Sequence, residues 1–169
     1  MRRVILAFAM AAVFTPAARA ATSDWGPLGW LEGRWTGEGG GAQQGAGGFS
    51  FLPDVAGHVL VRRNVADYPP QNGRPAQHHE DLMVVFREGG KLKATYWDVE
   101  DQTIHYDVQA SPDGVVFISE DTPGPRFRLT YIRSANGLEG RFEIAPPDDH
   151  AHFKSYLVWT AHRADGPPS

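Results

Sequence analysis

Lys91-Leu92-Lys93-Ala94-Thr95-Tyr96 puts an apolar side chain at every second position. That period-2 pattern marks a strand with one buried and one wet face. The same pattern extends on both sides. Ile104, Tyr106 and Val108 alternate with His105, Asp107 and Gln109. Phe127, Leu129 and Tyr131 alternate with Arg126, Arg128 and Thr130, and Leu138, Gly140, Phe142 and Ile144 with Glu139, Arg141 and Glu143. Turn chemistry separates the runs: Gly89-Gly90, Pro112-Asp113-Gly114, and Asn136-Gly137, a pair favoured where both turn residues take positive φ.

Outward from these segments the pattern predicts about ten strands. They are near 33–39, 46–52, 57–67, 77–87, 91–98, 103–110, 114–120, 126–134, 137–145 and 153–163, after a short helical turn at Pro27 to Leu31. No βα alternation supports a parallel sheet. The expected class is all-β, an antiparallel up-and-down barrel whose closure leaves no exposed edge. Only Leu82 to Phe86 shows no alternation; a strand buried on both sides there would imply an outer apolar patch and a homodimer.

The first 20 residues read differently. Arg2 and Arg3 precede a short apolar run, Val4 to Phe14, and Ala18-Arg19-Ala20 has the small residues of a cleavage site. Together these are the three regions of a secretory signal peptide. Removal of 1–20 leaves 21–169 as one domain, with periplasmic or secreted location expected. It also takes three of the 16 basic residues and no acid, leaving 13 against 20 and a formal charge of −7. That balance argues against nucleic acid and anionic lipid as partners. The chain has no cysteine, so thiol catalysis and cysteine-bound metals are excluded.

Gly33-Arg34-Trp35 opens the first strand and His162-Arg163 ends the last. A Gly-x-Trp paired with a basic residue closing the final strand resembles the lipocalin-like (calycin) superfamily. There the cation lies across the indole at one end of the barrel. The string Leu28-Gly29-Trp30-Leu31-Glu32-Gly33-Arg34-Trp35-Thr36-Gly37-Glu38-Gly39 is similar to uncharacterised bacterial calycin-like domains and, more distantly, to the nitrobindin-like haem barrels. This resemblance implies that Trp35 and Arg163 close the barrel. A haem barrel of that kind would carry a ligand histidine on its last strand. Here that strand reads Phe153-Lys154-Ser155-Tyr156-Leu157-Val158-Trp159, and strict alternation places Tyr156 outside with Phe153, Ser155, Leu157 and Trp159 inside. No cofactor is expected, and haem stands as an alternative.

The Gly-rich stretch Gly37 to Gly48 lacks the Gly-Lys-Ser/Thr of a phosphate loop and reads as a loose, coiled hairpin. In His78-His79-Glu80-Asp81, alternation puts His78 with Glu80 and His79 with Asp81, each pair half a metal site, so no metal is expected. His105 falls on a polar face. Arg126 and Arg128 read as an outer stripe facing Glu139 and Glu143. The remaining signal is aromatic. Tyr96, Tyr106, Phe127, Tyr131, Phe142 and Trp159 share the inward parity, with Asp98 and Arg62 expected as polar anchors at the rim. Buried tyrosine hydroxyls need partners. The expected function is binding of a small, apolar or aromatic molecule by these eight residues. The alternatives are an enzyme using His105 or Asp98 as general base in the same cavity, and a barrel that is simply full.

Overall fold

A computed structural model describes residues 24–40, 45–71 and 73–164. Residues 1–20, where a signal peptide is expected, and the stretch 41–44 within the Gly-rich segment lie outside the described residues. Ten strands form one closed antiparallel barrel: β1 (Gly33–Gly40), β2 (Ala46–Asp54), β3 (Val59–Tyr68), β4 (Gln77–Glu88), β5 (Lys91–Asp98), β6 (Thr103–Ser111), β7 (Gly114–Ser119), β8 (Arg126–Ser134), β9 (Gly137–Ala145) and β10 (Lys154–Arg163). Each strand pairs with its chain neighbours, and β1 pairs with β10, from Trp35 opposite Arg163 to Gly40 opposite Val158. The only other regular structure among the described residues is a pair of 3-10 turns, Gly26–Leu31 and Val55–Gly57. The second of these delays β3 to Val59; its first N–H is capped by Asp54 Oδ1 at 2.6 Å.

The alternation in the sequence becomes the inside and outside of this barrel. Leu60, Met83, Val85, Ala94, Tyr106, Val115, Phe117, Leu129, Tyr131 and Leu138 are all buried. The Leu82–Phe86 run sorts the same way: Asp81, Met83 and Val85 point inward, while Leu82, Val84 and Phe86 are half-buried on the outer wall. The strand is therefore not buried on both faces. At the tight turn between β4 and β5, Gly89 and Gly90 take φ of +55° and +79°, as the two-residue hairpin demands. The β8–β9 turn differs from expectation. Ser134 pairs with Gly137, so Ala135-Asn136 forms the loop, and only Gly137 has positive φ, at +154°.

One end of the barrel is shut. The Gly26–Leu31 turn drops Leu28 and Leu31, both fully buried, into the opening, with Trp25 and Trp35 beside them. Trp35 Nε1–H donates to the Leu31 carbonyl at 2.8 Å. The Arg163 guanidinium lies 4.3 Å from the Trp35 ring centroid and donates to the carbonyls of Trp30 and Glu32. Above this plug the lower half of the barrel is solid aromatic core: Phe49, Phe51, Phe117 and Tyr131 contact one another with centroids 5.5–6.3 Å apart, mostly edge to face.

Two outer-wall expectations change. Arg128 does pair with Glu143, through two bonds of 2.6 and 2.8 Å, but Arg126 donates to the Ser119 carbonyl and Glu139 pairs with Arg141. Phe153 is not inside; it lies under the Arg128 guanidinium, 4.3 Å away. The cause is a β-bulge. Ser155 faces Glu143 and Leu157 faces Phe142, so Tyr156 is an extra residue in β10. A bulge shifts side-chain parity for everything beyond it, which period-2 counting cannot detect.

Candidate functional site

The other half of the barrel is hollow. A cavity of about 590 Å³ opens at the end away from Trp35. Its two sides differ in chemistry. On β8, β9 and β10, Phe127 and Phe142 stack within 8° of parallel at 5.8 Å, with Leu129, Ile144, Leu157 and Trp159 around them. On β3, β4 and β5 stand Arg62, Asn64, His79, Asp81, Tyr96 and Asp98. Part of the hollow exists because side chains are missing. The cross-strand neighbours of Trp159 are Gly39 on β1 and Gly140 on β9. A Cβ at Gly140 would overlap the indole, so this glycine lets Trp159 lie flat along the wall.

The polar wall is one connected network. Asn64 and Asp81 sit directly opposite across β3 and β4. Asp81 accepts from Arg62 Nη1 and from Asn64 Nδ2, the latter at 2.9 Å. Arg62 Nε donates to Tyr131 Oη at 2.8 Å. His79 Nε2 lies 3.2 Å from Asp81 Oδ2 and 3.3 Å from Tyr96 Oη, and its Nδ1 is 3.1 Å from Glu100. Tyr96 donates to Asp98 Oδ2 at 3.1 Å, and Asp98 Oδ1 accepts the Glu100 and Gln102 amides.

These contacts set the protonation states. Hydrogen bonding to Asp81 raises the His79 imidazole to about 9, against the opposing effect of burial and with help from Glu100. His79 is therefore a cation at neutral pH, donating from both nitrogens. Burial disfavours the Arg62 charge, yet Asp81, Tyr131 and Tyr96 more than offset it and the guanidinium is held above its ordinary value. Burial pushes Tyr131 up to about 12 even though Arg62 pulls the other way. It raises Tyr96 and Tyr106 as well, Asp81 and Asp98 adding to it at Tyr96 and Arg62 opposing it at Tyr106. All three phenols stay protonated; Tyr96 donates to Asp98, and Tyr131 accepts from Arg62.

Two donors facing the cavity are unused. Tyr106 is 1 % exposed and lines the cavity, and its hydroxyl bonds to no described residue. Arg62 spends Nε and Nη1 on Tyr131 and Asp81; its Nη2 has no partner among the described residues.

Of the residues singled out from the sequence, Tyr96, Asp98, Tyr106, Phe127, Phe142, Trp159 and Arg62 all line this cavity. Arg62 is not at the rim: it is 5 % exposed, with its charge deep in the barrel against Asp81. Tyr131 does not line the cavity at all. It is fully buried beneath the floor, and its hydroxyl steadies Arg62. Sequence reasoning did not assign Asn64, Asp81, His79 or Tyr156 to the binding set. Asp81 and His79 were visible only as half a metal site, and the bulge hid Tyr156, whose ring meets Phe142 edge-on at 6.2 Å at the mouth.

The two residues considered as general bases are not set up for that role. His105 is exposed on the outer wall, 3.2 Å from Thr95 Oγ1, and cannot serve as a base in the cavity. Asp98 is tied to three donors, which leaves it poorly placed to take a substrate proton. Both ring nitrogens of His79 are engaged, Nε2 by Asp81 and Tyr96 and Nδ1 by Glu100. His78, at the cavity mouth, is engaged by Asp67 and Glu80 at 2.6 and 2.9 Å. Among the described residues no group of three His, Asp or Glu is arranged to hold a metal ion. No protein-family model matches the chain, and no curated protein matches it significantly.

Proposed function

We propose that this protein is an exported, lipocalin-like barrel that binds a small, largely aromatic or apolar molecule in its open half. The observation that carries this reading is the contrast between the two halves of one barrel. The lower half is packed solid, whereas the upper half keeps a cavity lined by Phe127, Phe142, Trp159 and Tyr106. An apolar pocket with a few fixed polar groups is the usual form of a small-molecule site. The lipocalin-like assignment is supported by the stacking of Arg163 on Trp35, and export by the Arg2-Arg3 and Ala18-Arg19-Ala20 pattern.

The test is native mass spectrometry of the protein recovered from its own cells, compared with protein unfolded and refolded in clean buffer. The expected result is an added mass of a few hundred daltons in the first sample and none in the second. A bare mass in both, together with no stabilisation in a screen of small aromatic compounds, would end this reading.

A further inference from the structure

A second recess, of about 450 Å³, lies at the plugged end of the barrel. Trp30, Trp35, the Ser134–Gly137 turn, Arg133, His162 and Arg163 line it. Register explains why these side chains meet. Arg133, Leu138 and Ala161 form one row across β8, β9 and β10. β9 begins only one residue before Leu138, whereas β10 runs two residues past Ala161. Arg163 therefore reaches beyond the start of β9. Arg133 and Arg163 both keep the inward parity, set by Tyr131 and Ala161 before them, so both stand over the plug.

The charge in this recess has one sign. Among the described residues no Asp or Glu lines it, in a chain whose formal charge is −4. Asp113 meets Arg133 only through the main chain, its carbonyl accepting the Arg133 N–H at 2.8 Å. The Arg133 side chain makes no hydrogen bond or ion pair with any described residue. Arg163 is already fixed in place, on the Trp35 ring and against the Trp30 and Glu32 carbonyls. Those carbonyls take two of its five N–H donors. Burial, and then the charge of Arg133, make Arg163 hold its proton less tightly than usual, with Glu32 pulling the other way.

Two guanidiniums around one hollow repel each other, and an oxyanion between them turns repulsion into attraction. Each can offer paired N–H groups to two of its oxygens. A phosphate monoester carries a charge of about −1.5 to −2 at neutral pH, which matches two arginines better than a single carboxylate does. The recess has room for more than the phosphate, and the half-buried Trp30 gives the remainder an apolar surface.

We propose that the plugged end carries a second site, for a small phosphate monoester, with the phosphate held between Arg133 and Arg163. The site is independent of whatever the open half binds.

Calorimetric titration with phenyl phosphate in low-salt buffer reads this site. Arg133→Gln is the informative change: the side chain is exposed, and its loss leaves the Arg163 clasp intact, so an unchanged melting temperature is expected. Wild type is expected to bind, and Arg133→Gln to bind about tenfold more weakly, the worth of one hydrogen bond to a charged group. Arg74→Gln removes an exposed arginine between β3 and β4, at the open end, and is expected to change nothing. Benzoate, with the same ring and one charge, is expected to bind about tenfold more weakly than phenyl phosphate. No binding by wild type, unchanged affinity in Arg133→Gln, or an equal loss in both variants overturns the site. Equal affinity for benzoate overturns the phosphate assignment, and binding only to phosphatidylglycerol vesicles overturns a soluble ligand. Asp165 to Ser169 follow the clasp in the chain and lie outside the described residues. If a chain ending at Ala164 binds phenyl phosphate and the full chain does not, the tail fills the recess and the proposal fails.

Discussion

Arg62 shows how one residue can hold a site and a core together. Its guanidinium joins β3 to Asp81 on β4 and to Tyr131 on β8, so it ties the cavity floor to the solid half below. The pair is almost wholly out of water, with side chains 6 % and 4 % exposed. Removing one partner strands a buried charge. Arg62→Met is expected to cost about 3–5 kcal/mol in urea unfolding, and the double change Arg62→Met, Asp81→Leu to recover part of that loss. His79 makes a prediction about pH. Its folded pKa, about 9, lies above the ordinary value of about 6.5. The proton is thus bound more tightly in the folded state, and the stability it contributes is complete below about pH 6.5. That contribution is lost as pH rises through about 9. Thermal melts from pH 6 to pH 10 are expected to show a decline that His79→Gln flattens.

At the scale of the strand, two small irregularities shape the cavity. The Tyr156 bulge turns the outer end of β10, bringing a tyrosine to the mouth and sending Phe153 under Arg128. Gly140 interrupts an otherwise bulky inward row, Leu138, Phe142 and Ile144, and the Trp159 indole occupies the space. Gly140→Ala is expected to destabilise the protein by about 1–3 kcal/mol through overpacking, and to weaken ligand binding because Trp159 must move into the cavity. Chemical denaturation and dialysis with a bound probe measure the two effects separately. Alternation in the sequence exposed the inward row of β9 in full, Gly140 included. It could not say that this glycine lies beneath an indole, because the register of β9 against β10 is a long-range property.

At the scale of the whole barrel the two ends do different jobs. The Trp35 end is plugged by the Gly26–Leu31 turn and clasped by Arg163; the far end is open and polar on one side. Arg163→Ala removes an exposed cation from an indole face and two hydrogen bonds to carbonyls. A loss of about 1 kcal/mol is expected. Since the clasp and the cavity are at opposite ends, affinity for a cavity ligand is expected to be unchanged, which calorimetry on wild type and variant would check. A parallel loss of affinity would show that the plug transmits strain to the floor.

The residues by themselves determined the strands, their inward faces and the closure pair, because period-2 burial, turn residues and a Trp–Arg pairing at the chain's two ends are local or end-to-end signals. Five residues on the inward parity, Tyr96, Tyr106, Phe127, Phe142 and Trp159, line the cavity. Only the tertiary structure decided depth, register and satisfaction. It placed Tyr131 below the floor and Arg62 deep beside Asp81, brought the exposed Tyr156 to the mouth through a bulge, and opened the cavity onto Tyr106. Parity states which side of a sheet a residue takes. How far down the barrel it sits, and whether its polar atom is met, depends on residues arriving from strands distant in the chain.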